Sequence, residues 1–205
     1  VSHDLRTPLT GIIGASSSYL ENEEMLDAGE RRDLVSHIRE DANWLLNMVE
    51  NLLAVTRIRE GSASVNKSME PVEEVMSEAV FRLKKRLPQA KIRVLLPDEF
   101  VMIPMDATLI EQVLMNLMEN AVYHAGSTDP VECRAGIGED QVTFYVTDHG
   151  VGIAPERLET IFDGTGQTES ESADGHKGMG IGLSICKTII AAHGGSISAR
   201  NLEKG

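Results

Sequence analysis

Through the first 60 or so positions, apolar residues return at helical spacing. Leu5, Leu9, Ile12, Ser16 and Tyr19 step by four, three, four and three, the seam of one helix packed against another. A polar, acidic stretch from Asn22 to Gly29 interrupts the period. It resumes with Leu34, Ile38, Ala42, Leu45, Met48, Leu52 and Val55 and stops at Gly61, a plausible helix end. Two helices folded back on each other are predicted, the second about 30 residues and so roughly 45 Å long. A hairpin of that kind cannot bury both apolar stripes alone, so pairing of two copies into a four-helix bundle is expected.

Gly61-Ser62-Ala63-Ser64 punctuates the chain and sets the expected boundary between a first domain, residues 1–61, and a second, residues 62–205. Beyond it, helix and strand patterns alternate. A short strand is expected over 65–69. Pro71 then opens a helix with Glu73 and Glu74 in its first turn, where carboxylates suit the dipole. Strands are read over 91–96 and 100–103, and a long helix over 107–125. Residues 131–137 and 142–148 read as a hairpin across Gly138-Glu139-Asp140. A short helix over 155–162 leads into a polar, Gly- and Ser-rich loop over 163–177, followed by a helix over 182–193 and a last strand over 196–200. The expected fold class is α+β in two domains, a helical hairpin followed by a layered helix-and-sheet domain.

Composition narrows the reading. Hydrophobic residues make 41% of the chain and charged residues 25%, as in a soluble globular protein. Aromatic residues make only 4%, so the core must be aliphatic. A net charge of −13 argues against nucleic-acid binding, which needs a basic surface. Cys133 and Cys186 lie in apolar runs without metal-ligand spacing and read as reduced core residues of a cytosolic protein. No apolar run has the length of a membrane span and no signal peptide is visible. The chain begins inside a helical pattern, so a membrane anchor or sensor is expected only upstream, with these residues as the cytoplasmic portion.

Four stretches carry candidate chemistry. In Ser2-His3-Asp4-Leu5-Arg6-Thr7-Pro8-Leu9, His3 and Thr7 are four apart and share a helical face, while Leu5 and Leu9 point to the seam. His3 is then an exposed nucleophile, and Asp4 beside it takes a proton from one ring nitrogen and leaves the other free to attack. Pro8 removes a helical hydrogen bond and should bend the helix. An isolated His-Asp pair is more often an ordinary exposed pair; the eight-residue string is the specific signal. In Asn116-Leu117-Met118-Glu119-Asn120-Ala121, the two asparagines share a face of the long helix, where amide oxygens suit a Mg²⁺ held mainly by phosphates and water. In Asp148-His149-Gly150-Val151-Gly152, a strand delivers a carboxylate able to accept the exocyclic amine of adenine, and two glycines permit close approach. Gly178-Met179-Gly180-Ile181-Gly182-Leu183 opens a helix whose N–H groups and dipole suit phosphate. Taken singly, the last three are equally read as surface amides, an acidic turn and a closed loop.

Their order and spacing resemble the transmitter core of two-component sensor histidine kinases across essentially the whole chain. SHDLRTPL is similar to that family's H box, NLMENA to its N box, DHGVG and GMGIGL to its two Gly boxes, Ile161-Phe162-Asp163 to the start of its F box, and His193-Gly194-Gly195 to a common late turn. Within the family the chain looks most like the Kdp-type, potassium-responsive branch, on the HDLRTPLTGIIGA opening, WLLNMVENLLAVTR and LIEQVLMNLMENAV. The resemblance implies a homodimeric hairpin followed by a GHKL/Bergerat-type α/β sandwich, its last strand lying beyond Gly205, shared with gyrase- and Hsp90-like ATPases. It implies ATP and Mg²⁺ as cofactors and a response-regulator receiver domain as partner. His3 would be the phosphoacceptor, Asp4 the general base, and Thr7 would position water for dephosphorylating the partner. Asn116 and Asn120 would serve Mg²⁺–phosphate binding and Asp148 the adenine. Gly150, Gly152, Gly178, Gly180 and Gly182 would allow close approach of the nucleotide. ATPase relatives carry a water-activating Glu at the Asn116 position, and an Asn cannot act as that base.

Two departures stand out. Tyr123 and His124 occupy a stretch where the family usually has Lys and then an aromatic, so a phosphate cation must come from elsewhere, with Lys177 the candidate. Thr165 stands where a second Phe of the F box is usual. The expected activity is ATP-dependent phosphorylation of His3, then transfer to an aspartate of the partner, in a potassium or osmotic response, with phosphatase activity as a companion. The rivals are a gyrase-like ATPase, a phosphatase-biased module, and a catalytically weak nucleotide-binding dimerisation scaffold.

Overall fold

The computed structural model describes residues 2–59, 65–163 and 181–202, and the chain divides into two compact units, residues 1–53 and 54–205. α1 (Ser2–Asn22) runs unbroken through Pro8 in the first unit, and α2 (Ala28–Arg59) follows after a short turn and continues past the unit's end at residue 53. The polar stretch between them is itself a helix start. Asp27 Oδ1 accepts the N–H groups of Gly29 at 2.7 Å and Glu30 at 2.9 Å, and Glu30 Oε2 accepts the Asp27 N–H at 2.9 Å. That reciprocal arrangement is a capping box. Arg31 reaches back to the carbonyls of Glu23 and Leu26, at 2.6 and 3.1 Å, and closes the turn.

Gly11 allows the helices to approach. A methyl group there would collide with the Asp41 carboxylate of α2. Leu5, Ile12, Ser16 and Tyr19 on α1, and Leu34, Ile38 and Leu45 on α2, are half-buried, and Met48 is buried. Leu9, Ala42 and Leu52, expected on the seam, are instead exposed. They share the outward surface with Ile13, Leu20, Val35, Leu46, Val49 and Leu53. Each helix is apolar over an arc too wide for one partner, so a single hairpin covers only part of it.

The second unit contains β1 (Ser68–Pro71), α3 (Val72–Arg86), β2 (Ile92–Leu95), β3 (Met102–Met105), α4 (Ala107–His124), β4 (Val131–Ile137), β5 (Val142–Thr147), α5 (Pro155–Leu158) and α6 (Ile181–Ala192). β1 pairs antiparallel with β3; β4 pairs parallel with β2 and antiparallel with β5. Strands expected at 65 and 100 begin later, at Ser68 and Met102. The expected strand over 196–200 forms no ladder. There Ile197 packs on the α4–α6 core, and the Asn201 side chain takes the backbone of Ile153.

α4 is the centre of this unit. Ile110, Leu114, Met118 and Ala121 join α3 and the sheet in one core, with Val72, Met76, Leu83, Val131 and Cys133. Leu109 and Val113 turn the other way, onto Ile185, Cys186 and Ile189 of α6. Asp106 caps α4 through the Leu109 N–H at 3.2 Å, the preferred job of Asp just before a helix.

Replacing Asp27 by Ala removes two acceptors from the start of α2. A loss of about 1 kcal/mol is expected, read as a lower melting temperature of the hairpin by circular dichroism.

Candidate nucleotide and phosphoacceptor sites

α4 presents Asn116 and Asn120 one turn apart. Asn116 is 8% exposed, and its amide stands 3.8 Å from where a Cβ of Gly182 would lie. It also hydrogen-bonds the Cys186 thiol. The N-terminal turn of α6, with its outward N–H groups, is therefore seated on the first asparagine. Asn120 is half-buried.

The Asp148 turn attaches to the other end of α4. Asp148 Oδ1 accepts the Gly150 N–H at 2.9 Å, and the Val151 N–H donates to the Ala125 carbonyl at 2.9 Å. Gly150 lies so close to the Ala125 backbone that a Cβ would overlap its carbonyl and Cα. Gly152 has φ +74°, a left-handed conformation that favours glycine. Asp148 and His149 border an open cleft of about 200 Å³ with Lys91, Ala121, Ala125 and Val131, while Asn116 and Asn120 lie outside it.

Two groupings are thus fastened to α4, Asn116 with Gly182, and Asp148 with Gly150 and Gly152. Lys177, Gly178 and Gly180 lie outside the described residues, as does Thr165. His3 and Asp4 stand in the first turn of α1, and their side chains are likewise outside the description. Thr7 is exposed one turn further on.

Several contacts here were not anticipated from sequence. His193 Nε2 accepts the Asp106 N–H at 3.1 Å, so its proton sits on Nδ1 and faces the Ile189 carbonyl at 2.8 Å. Lys67 Nζ donates to the His193 carbonyl at 2.8 Å. His193 thereby joins the C-terminus of α6 to the start of α4. Lys187 pairs with Asp163 at 2.6 Å beside buried Phe162. The HGG motif marks a turn at His193 without pointing at its contact to Asp106, and no periodicity points at the Lys187–Asp163 pair.

Comparison with known proteins now settles the family. Residues 1–61 match the His Kinase A (phospho-acceptor) domain, and residues 105–205 match the histidine kinase-, DNA gyrase B-, and HSP90-like ATPase domain. The chain belongs to the histidine kinases. It is 42% identical, over its whole length, to the sensor protein KdpD of Clostridium acetobutylicum, spanning 23% of that relative. Histidine kinase ThkA, solved in complex with the response regulator protein TrrA, is 28% identical with a TM-score of 0.66. The alignment covers all of this chain and 57% of that one. Full-length ShkA, in complex with AMPPNP, is 27% identical with a TM-score of 0.63, over 99% of this chain and 42% of that one. Among the described residues, no helix is long and apolar enough to cross a membrane.

Two expectations follow for this histidine kinase. Gly150→Ala forces a methyl into the Ala125 backbone, at a cost of about 1–3 kcal/mol. ATP titration and thermal melting should show weaker binding together with a lower melting temperature. Burial pushes the Cys133 thiol up to about 11 and the Cys186 thiol up to about 12, the Asn116 hydrogen bond opposing the latter. Both stay protonated in the fold while unfolded thiols ionise near 9.0. Stability is therefore full below that value and is lost as pH climbs toward the folded values. Urea unfolding at about pH 7.5 and about pH 10 checks the sign.

Proposed function

We propose that this chain transfers the γ-phosphoryl group of ATP to His3 and passes it to an aspartate of a response-regulator receiver domain. One observation supports this reading most. The helix carrying Asn116 holds the start of α6 at that residue and the Asp148 turn at its far end. A triphosphate placed against the N–H groups of α6 then has its adenine end toward Asp148.

A ring nitrogen of His3 attacks the γ-phosphorus in line, the bond to the ADP oxygen breaks, and Asp4 accepts the proton left on the other ring nitrogen. Positioning and charge neutralisation do most of the work. Asn116 and Asn120 fit Mg²⁺ as neutral oxygen donors, and the ion when bound neutralises phosphate charge. Asn116 has no carboxylate with which to activate water, which favours transfer over the hydrolysis of a gyrase-like ATPase. Lys177, Gly178, Gly180 and Gly182 complete the phosphate side of this reading, and Gly150 and Gly152 the base side.

Two copies pair through their hairpins in this reading, with Leu9, Ile13, Val35, Leu46, Val49 and Leu52 as the apolar surface to be covered. The phosphoacceptor domain is assigned to residues 1–61 and the ATP-binding domain to residues 62–205, as the cytoplasmic part of a membrane-anchored sensor. ShkA with AMPPNP and ThkA with its response regulator support the nucleotide and the partner, and likeness to KdpD supports a potassium stimulus. Thr7, exposed on the His3 face, supports a companion phosphatase role in which it orients water.

The His3→Gln variant should bind Mg·ATP as the unaltered chain does and incorporate no label from γ-labelled ATP. The unaltered chain should give an acid-labile, base-stable phosphoprotein. Normal labelling of the variant would remove His3 from the mechanism.

A further inference from the structure

The turn from Asp148 to Ile153 is held at three points. Asp148 caps its own turn through Gly150, and Ala125 takes the Val151 N–H. The third tie comes from 48 residues away. Asn201 Oδ1 accepts the Ile153 N–H at 2.8 Å, and Asn201 Nδ2 donates to the Ile153 carbonyl at 2.7 Å. One carboxamide thus does for Ile153 what the peptide groups of a neighbouring strand would do, although residues 195–202 form no ladder.

We propose that Asn201 is a positioning residue of the nucleotide site. It fixes Ile153, hence the path of Gly150–Gly152, and so the direction in which Asp148 presents its second carboxylate oxygen. This rests on reading Asp148 as the group that recognises adenine. The pair of bonds needs a donor and an acceptor side by side. Asp would accept from the Ile153 N–H but face its carbonyl with a second acceptor, Ser supplies a single hydroxyl, and Leu supplies neither. Gly152 makes the clamp necessary. At φ +74° it lies in a region open to glycine, whose backbone otherwise ranges widely. The ties on either side of it, Val151 to Ala125 and Ile153 to Asn201, select one conformation for the segment.

The test uses the 205-residue chain unaltered and as N201L, N201S and N201D. Affinities for ATP and GTP are measured by titration, with melting curves and autophosphorylation kinetics alongside. Each net hydrogen bond is worth roughly a fivefold change in an equilibrium. N201L, which loses both bonds, should therefore weaken ATP binding by up to about 25-fold, with N201S between it and the unaltered chain. GTP, which lacks the adenine amine, should be affected less, so the preference for ATP narrows. KM for ATP should rise while kcat at saturating ATP is kept. A merely structural role would lower the melting temperature and leave the ATP-to-GTP preference where it was; that result overturns the assignment. Unchanged affinity in N201L and N201S overturns it equally, and N201S and N201D carry the test if N201L does not fold. If the unaltered chain binds no ATP, the nucleotide reading of Asp148 fails and takes this assignment with it. If it binds and the variants match it, Asn201 alone loses its role.

Discussion

The second unit depends on a close approach of two backbones. Gly150 meets Ala125 at a distance that leaves no room for a β-carbon, and the next residue donates its N–H to the same carbonyl. This contact brings the end of β5 to the end of α4, so the helix that carries the asparagines also sets the position of Asp148. Two apolar faces of α4 hold it in place, one on the sheet and α3 and the other on α6. With both faces packed, α4 can neither roll nor slide without opening a core made almost wholly of aliphatic side chains. Packed interiors resist such motion, so the spacing between Asn116 and Asp148 is a fixed length of the fold.

The hairpin obeys a different constraint. Its helices touch where Gly11 admits Asp41, and beyond that contact much of their apolar surface remains outward. Leu9, Leu46 and Leu52 are large side chains, each about half exposed. Contiguous exposed apolar surface of this kind marks interaction sites in soluble proteins. The same geometry leaves Thr7 at the surface, on the face it shares with His3 along α1, where a docking partner can reach it.

Much of this was legible from residue patterns because it is local. The helices and the β4–β5 hairpin follow from period and turn residues within a few positions. Asp27 and Glu30 form a capping box that the D-x-x-E spacing states openly, although an acidic stretch reads first as a simple break. Leu9, Ala42 and Leu52 keep the expected period yet face outward from a single hairpin. When a helix is apolar over two arcs, a seven-residue period fits either, and only packing chooses between them. Ser196 to Arg200 alternates like a strand, yet the bonds that a strand would supply run through the Asn201 carboxamide instead. The Ile153–Asn201 and Gly182–Asn116 contacts join residues far apart in the chain and leave no trace in spacing.

Asn116 shows why residue type and packing must be read together at the site. Its amide is nine-tenths buried, bonded to the Cys186 thiol and pressed against the first turn of α6. A Glu at this position, one methylene longer, would bring a charge into the same enclosure beside a thiol that burial keeps protonated. Desolvation would raise the pKa of that carboxyl and hold back the ionised form that a base requires. The neutral amide has no such difficulty: its oxygen accepts from Gln112 Nε2 at 3.5 Å and its N–H groups can donate to the sulfur, neither of which changes with pH. The wall that α6 builds around Asn116 thus suits an amide better than a carboxylate, which ties the chemistry proposed for this position to the packing of α4 on α6.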